Sequence, residues 1–247
     1  MSDNLAISKH LTEVHEDWQC SRGEFPLNTY PPVHWPVPFF GNPATALVAT
    51  IGVNPSSEEF VPNRHWPEVN ARNRGAWKKR LKNYFHQATP AHDWFDPWTI
   101  GLALLDCSYK EGTAAHFDVS YRPTKAMLRN KTTNPKEFRQ MIERDSAGLF
   151  HLLLLCPRLC GLLVFGPVVR CNGSMESLAG FIRKSAPRHG FNVLPDGGLR
   201  VAARGETGRS FFVHEVCASG RGTITEQVVE NLRVHQDGLR GQIEAGA

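Results

Sequence analysis

Three short polar stretches hold the residue types that do chemistry. Asn54 stands in GVNPSS (52–57), directly after an apolar run and between a valine and a proline; its amide carries both donor and acceptor atoms, enough to orient a water molecule. Asp118 stands in HFDVSYRPT (116–124), where a carboxylate can activate water, read a hydrogen-bonding edge or stabilise a developing positive charge. CASGRG (217–222) supplies Cys217, Ser219, Gly220 and Arg221, with His214 three residues before it as the nearest imidazole. Each also has a structural reading: Asp118 as the cap of a turn ahead of Arg122-Pro123, His214 as a strand residue, Arg221 as a solvated loop cation.

These stretches need elements to hold them. ALVATIGV (46–53) is short, continuously apolar and β-branched, bounded by Pro43 and Asn54-Pro55, so it predicts a strand buried on both faces. TIGLALLDC (99–107) and AAHFDVS (114–120) are further strand candidates, GLLVFGP (161–167) a confident one and SFFVHEV (210–216) the last, reached through a hairpin at Gly205–Gly208. Between them lie an amphipathic helix over 75–87, a long helix opened by Asn134-Pro135, and a helix over 174–186 capped by Ser174 or Asn172. A loop and a helix starting near Thr223 to Thr225 follow the last strand. Strands alternating with helices predict a three-layer α/β/α sandwich around a central, mainly parallel, four-stranded sheet. In such a sheet ligands bind beyond the carboxyl ends of the strands, where all three polar stretches fall.

Composition sets limits on this reading. With 247 residues, 41 % of them hydrophobic, the chain can build one α/β domain spanning 1–247, with 1–45 forming an N-terminal helix around Leu5 to Trp18 and a Pro-rich arm that wraps the core as coil. No run reaches the roughly 18 apolar residues of a membrane span, and the N-terminus is too polar for a signal peptide; the expectation is a cytoplasmic protein. Six irregularly spaced cysteines then read as small buried hydrophobes, against the rival reading of a metal or iron–sulfur cluster on Cys156, Cys160 and Cys171. The net charge is only +4, yet RNRGAWKKRLK (72–82) holds six basic residues and no acid. Arg74, Lys78 and Lys79 therefore suggest a basic face that meets phosphates, the alternative being a solvated face.

In order and spacing these motifs resemble the uracil-DNA glycosylase superfamily over roughly residues 38 to 235. GVNPS (52–56) is similar to the G-[IM]-N-P-G motif of its mismatch-specific and single-strand-selective branches, NRGAW (73–77) to the N-R-F-W segment that follows, and CASGRG to the second motif, H-P-S-P-L or N-P-S-G-L. The resemblance implies a monofunctional glycosylase that flips a uracil, or another deaminated base such as hypoxanthine or xanthine, out of DNA and hydrolyses its N-glycosidic bond. It implies a monomer with DNA as partner, and neither metal nor cofactor. Asn54 and Asp118 would be catalytic. Gly52, Val53, Pro55, Ser56, Phe60, Trp66, His214 and Cys217 would surround the base, while Ser219, Gly220, Arg221, Arg74, Lys78 and Lys79 would hold DNA.

Two positions depart from the family pattern. Cys217 stands where a His or Asn usually stabilises charge on the base, and a thiol is a poor oxyanion donor. Asp118 stands where an Asn commonly reads uracil; ionised it can only accept, and only burial would keep it protonated as a donor. These departures keep two other functions open: a non-catalytic binder of damaged or abasic DNA on the same fold, and an N-glycoside hydrolase of free nucleosides or nucleotides.

Overall fold

A computed structural model describes residues 2–21, 34–60, 66–68, 70–87, 91, 93–124, 135–165, 167–171, 174–201, 209–216, 230, 233, 236–238, 240–241 and 243–244. Its frame is a seven-stranded sheet. In chain order the strands are β1 (Phe39–Phe40), β2 (Val48–Gly52), β3 (Ala114–Asp118), β4 (Gly161–Phe165), β5 (Pro167–Cys171), β6 (Ser174–Ser177), β7 (Phe191–Val193), β8 (Leu199–Val201) and β9 (Arg209–Val216). The sheet order is β1-β3-β2-β4-β9-β8-β7, with β5 and β6 forming a separate two-stranded ribbon.

The sheet is therefore larger than the four strands expected. β3, β2, β4 and β9 pair in parallel, while β1 is added antiparallel at one edge and β8 and β7 antiparallel at the other. The additions are short, and Asn192 and Val193 on β7 are exposed, so they lack the continuous apolar run that marks a buried strand. β1 lies within the Pro-rich arm, where Pro36 and Pro38 allow an edge strand only. Every residue of β2 and β3 is buried, so both faces of the sheet's centre are covered. At Gly161 a Cβ would stand 1.9 Å from the Phe212 ring, so the β4–β9 contact depends on a residue without a side chain.

The helices are α1 (Ser2–Cys20), α2 (Arg74–Lys82), α3 (Asp96–Ala103), α4 (Pro135–Leu155) and α5 (Leu178–Ser185). α3 corrects the strand expected over 99–107. Asp96-Pro97 opens a helix, Trp98, Gly101 and Leu102 are buried at helical spacing, and Ile100 is 49 % exposed where a strand buried on both faces would hide it. The helix after β4 also starts later than its sequence suggests: Ser174–Ser177 is strand, and Ser177, rather than Ser174 or Asn172, caps α5 by accepting from Gly180 N at 3.0 Å.

The described part of the Pro-rich arm is held by tryptophans. Trp35 and Trp77 stack at 5.0 Å, with Trp35 Nε1 donating to Pro67 O and Trp77 Nε1 to Pro36 O. The hairpin turn at 205–208 and the segment 217–229 lie outside the described residues, and the described residues between 230 and 244 are helical. No helix among the described residues is long and apolar enough to cross a membrane.

Candidate active site

The parallel set brings the ends of β2, β3 and β9 to one edge of the sheet, and the loops after β2 and β3 stay joined beyond it. Val119 N donates to Gly52 O, Ser120 N to Val53 O, and Thr124 N to Pro55 O, with Ser56 and Thr124 forming an isolated parallel bridge. Gly52, Val53, Pro55 and Ser56 thus form one wall of a double-loop ledge. Asn54 sits on it half-buried.

The Asn54 amide is fixed by both loops. Its Nδ2 donates to Thr124 Oγ1 at 2.8 Å, to Pro55 O at 3.0 Å and to Arg122 O at 3.3 Å. Carbonyl oxygens only accept, so the amide nitrogen must face them, and Oδ1 is the end turned away. No described residue donates to that oxygen. The arrangement holds an acceptor in one orientation at the strand edge, which is what positioning a water requires.

The loop has its own anchor. The Arg122 side chain is 1 % exposed, and its Nε lies 3.0 Å from Asp145 Oδ2 on α4 while one terminal nitrogen donates to Ser21 Oγ at 2.6 Å and Tyr121 Oη at 2.8 Å. Asp17 on α1 reaches the same guanidinium at 3.4 Å, and Ser120 Oγ donates to Asp145 Oδ2 at 2.6 Å. A buried, hydrogen-bonded ion pair thereby sets the backbone whose carbonyl receives Asn54.

Asp118 is the register partner of Gly52, and the two are packed face to face. A Cβ on residue 52 would lie 2.7 Å from Asp118 Oδ1 and 2.9 Å from His116 Nε2. The Asp118 side chain is fully enclosed, 3.4 Å from His116 Nε2 without an aligned hydrogen bond, and neither oxygen has a hydrogen-bond partner among the described residues. The turn-capping role is therefore excluded. Burial raises the Asp118 pKa, and the neighbouring His116 only partly opposes this.

His116 carries the network inward. Its Nδ1 lies 2.8 Å from Thr50 Oγ1, which in turn meets Tyr109 Oη, and Trp94, Phe95 and Trp98 set their rings edge-on to the imidazole. Tyr109 is fully buried, and desolvation pushes its hydroxyl far above the usual range, so it acts as a neutral phenol. The polar chain is Tyr109, Thr50, His116, Asp118. Sequence reasoning missed all but the last, although period-two alternation in AHFD places His116 and Asp118 on one face.

Other expected site residues sit elsewhere. His214 falls in the row His116, Thr50, Leu163, His214, on the same face as Asp118 but two strands from β2 and one row deeper. Phe60 and Trp66 pack on each other at 5.1 Å. Phe60 stacks on His34, while Trp66 donates to Glu59 Oε1 and lies under the Arg80 guanidinium. Both rings are half-buried and committed to the wall between the 57–60 turn and α2. Glu59, 2 % exposed, also accepts from Tyr84 Oη at 2.7 Å. Cys217, Ser219, Gly220 and Arg221 lie outside the described residues.

The basic segment is less solvated than its sequence suggests. Lys78 gives hydrogen bonds to Ser8 O, Ser8 Oγ and Thr12 Oγ1 on α1, which accounts for all three donors of an ammonium; Lys82 donates to Asn4 Oδ1, and Arg80 is buried against Trp66 and Tyr84. Burial, then Arg74 and Lys82, lowers the Lys78 pKa. Lys79 and Arg72 are exposed and Arg74 half-buried. Lys78, Lys79 and Lys82 line a cavity of about 320 Å³ on the α1–α2 seam, together with Asn4, Asn42 and Asn83.

Three of the cysteines are the buried hydrophobes expected, whereas Cys20 is exposed and Cys217 lies outside the described residues. Cys107, Cys156 and Cys160 are buried and unpaired, and desolvation raises all three thiols, Cys107 to about 12 and Cys160 to about 11, which disfavours the thiolate a cluster needs. The side chain of Cys171 lies outside the described residues. No protein-family model matches the chain, and no curated protein matches it.

Proposed function

We propose that the chain is a monofunctional DNA glycosylase on a three-layer α/β/α fold, hydrolysing the N-glycosidic bond of uracil, and of other deaminated bases such as hypoxanthine or xanthine, to leave an abasic site. One observation carries the reading: the Asn54 amide is oriented by three acceptors at the carboxyl edge of a parallel sheet, with the buried Asp118 at the neighbouring strand end. As the C1′–N bond breaks, its electron pair leaves with the base and positive charge grows on the sugar. Asn54 Oδ1 would hold the water whose oxygen bonds to C1′, and the proton that water sheds would neutralise the departing base anion. Asp118, whose pKa burial raises, would in its protonated form donate to a carbonyl oxygen of the flipped base, a task an ionised carboxylate cannot perform. Lys79, Arg72 and Arg74 would meet the phosphates.

The enclosure of Asp118 favours a second reading. A carboxyl group without solvent access must be uncovered before a base reaches it, and a chain that never uncovers it would hold damaged DNA without cleaving it. Single- and double-stranded oligonucleotides carrying one uracil, hypoxanthine or xanthine, treated with alkali after incubation, separate the two. Glycosylase activity should give strand scission that falls in Asn54→Ala and Asp118→Ala. Binding of all substrates with no scission above background would leave the non-catalytic reading, and release of base from free nucleosides would favour the nucleoside hydrolase.

A further inference from the structure

α1 and α4 pack side by side, and three metal-ligating side chains meet on their seam. His10 and Glu13 are one helical turn apart on α1, and His151 comes from α4. One nitrogen of each imidazole and one Glu13 carboxylate oxygen lie within 4.8 Å of one another. His151 Nδ1 is 3.9 Å from Glu13 Oε2, and the His10 and His151 rings stand edge to face at 4.9 Å.

His10 is the fixed member. It is 2 % exposed, and its Nε2 is buried with no hydrogen-bond partner among the described residues. A buried orphan of this kind is costly unless something fills its lone pair.

The geometry points to a divalent metal site of the zinc class, with His10, Glu13 and His151 as ligands and water completing the shell. Two imidazoles and one carboxylate suit zinc, nickel or copper better than magnesium or calcium, which take oxygen shells. Tetrahedral bonds of about 2.0–2.1 Å place ligand atoms about 3.3 Å apart, so the observed spacing must tighten. Glu13 and His151 have side chains 45 % and 48 % exposed and can swing onto the fixed His10. Lys9, 3.8 Å from Glu13 Oε1 and 79 % exposed, is a cation easily displaced.

The metal would clasp two helices. Asp17, seven residues beyond His10, pairs with Arg144 at 3.0 Å, seven residues before His151, so α1 and α4 run antiparallel and the clasp closes the seam at the other end from that ion pair. Asp17 is also the residue that reaches Arg122. Fixing α1 thus reinforces the helix behind the Asn54 loop.

The test uses the tag-free full chain, dialysed against a chelator and titrated with ZnCl2 in a calorimeter. The expected result is one saturable equivalent of zinc, bound at least 10-fold more weakly by Glu13→Gln and by His151→Ala, with zinc raising the Tm of the parent chain but not of His151→Ala. Both substitutions fall on half-exposed side chains, so the fold should survive. Absence of saturable binding would overturn the site, as would parental affinity in His151→Ala. Cys20→Ser should bind zinc as the parent does; a large loss there would place the metal on the exposed thiol instead.

Discussion

Asp118 rests against the bare α-carbon of Gly52, its Oδ1 occupying the space a β-carbon would need. The missing side chain is what lets a carboxyl group lie flat on the neighbouring strand at the sheet's carboxyl edge. Gly52→Ala would put its methyl 2.7 Å from Asp118 Oδ1 and 2.9 Å from His116 Nε2, between two fully buried strands. Overpacking of this kind typically costs about 1–3 kcal/mol, so urea unfolding should show a loss in that range. Scission should fall further than stability explains, since the displaced group is Asp118. A variant with parental stability and activity would refute the close approach.

Thr124 is the shortest of the three contacts holding Asn54, and it belongs to the other loop. Thr124→Val keeps the shape of the side chain and removes the shortest acceptor, leaving the amide held by Pro55 O and the longer contact to Arg122 O alone. Misplacing an orienting group by a fraction of an ångström to 1 Å can cost up to roughly 100-fold in rate. The expectation is a drop in kcat with little change in oligonucleotide affinity, and a larger drop in Asn54→Ala. Parental kcat in Thr124→Val would show that Asn54 needs no such support.

Burial of Asp118 also predicts a pH dependence of stability. Its folded pKa lies above its unfolded value of about 3.9, so the folded chain keeps a proton that the unfolded chain has released. The titration of Asp118 therefore costs nothing below the unfolded value, costs progressively more as pH rises through the interval between the two, and imposes its full penalty above the folded value. Asp118→Asn removes the titration. Measured by urea unfolding, its stability relative to the parent should rise with pH from about pH 4 and then level off. Asp145, also raised by burial, is present in both chains and cancels in the difference. A difference that stays flat across the range would show that Asp118 titrates normally.

The strand skeleton was legible because continuous apolar runs such as ALVATIGV and GLLVFGP can hardly be anything other than buried strand or helix, and proline boundaries made them short. The run at 99–107 shows the limit of that signal. Its apolar residues fit either period, and Asp96-Pro97 decided for helix. β1, β7 and β8 were hard to read because two- and three-residue edge strands carry almost no periodicity. At the site, Asn54 stood out through its turn chemistry and Asp118 through its place after a strand. His116 and Thr50 did not, since their role comes from strand pairing, which one sequence does not display. Lys78 and Lys82 illustrate the opposite error: a basic run looks solvated until another helix, here α1, packs over it.

The Arg122–Asp145 pair is a buried ionic contact between the Asn54-supporting loop and α4, and its removal separates fold from site. Arg122 is 1 % exposed and Asp145 fully enclosed at the side chain, so deleting either leaves a buried charge without the partner that faces it. Such single deletions cost about 3–5 kcal/mol, whereas replacing both partners with apolar residues of similar volume is often close to neutral. Arg122→Met and Asp145→Leu should therefore each be strongly destabilised in urea unfolding, and the double variant should recover much of the loss. Asp17, with a side chain 46 % exposed, sits at the rim of the same guanidinium, so Asp17→Asn should cost far less. Activity should not recover with stability. The Arg122 carbonyl that accepts from Asn54 is placed by the guanidinium's contacts to α1 and α4, and methionine makes none of them. A double variant that regains both stability and parental scission would show that the pair holds only the fold and leaves the Asn54 loop to set itself.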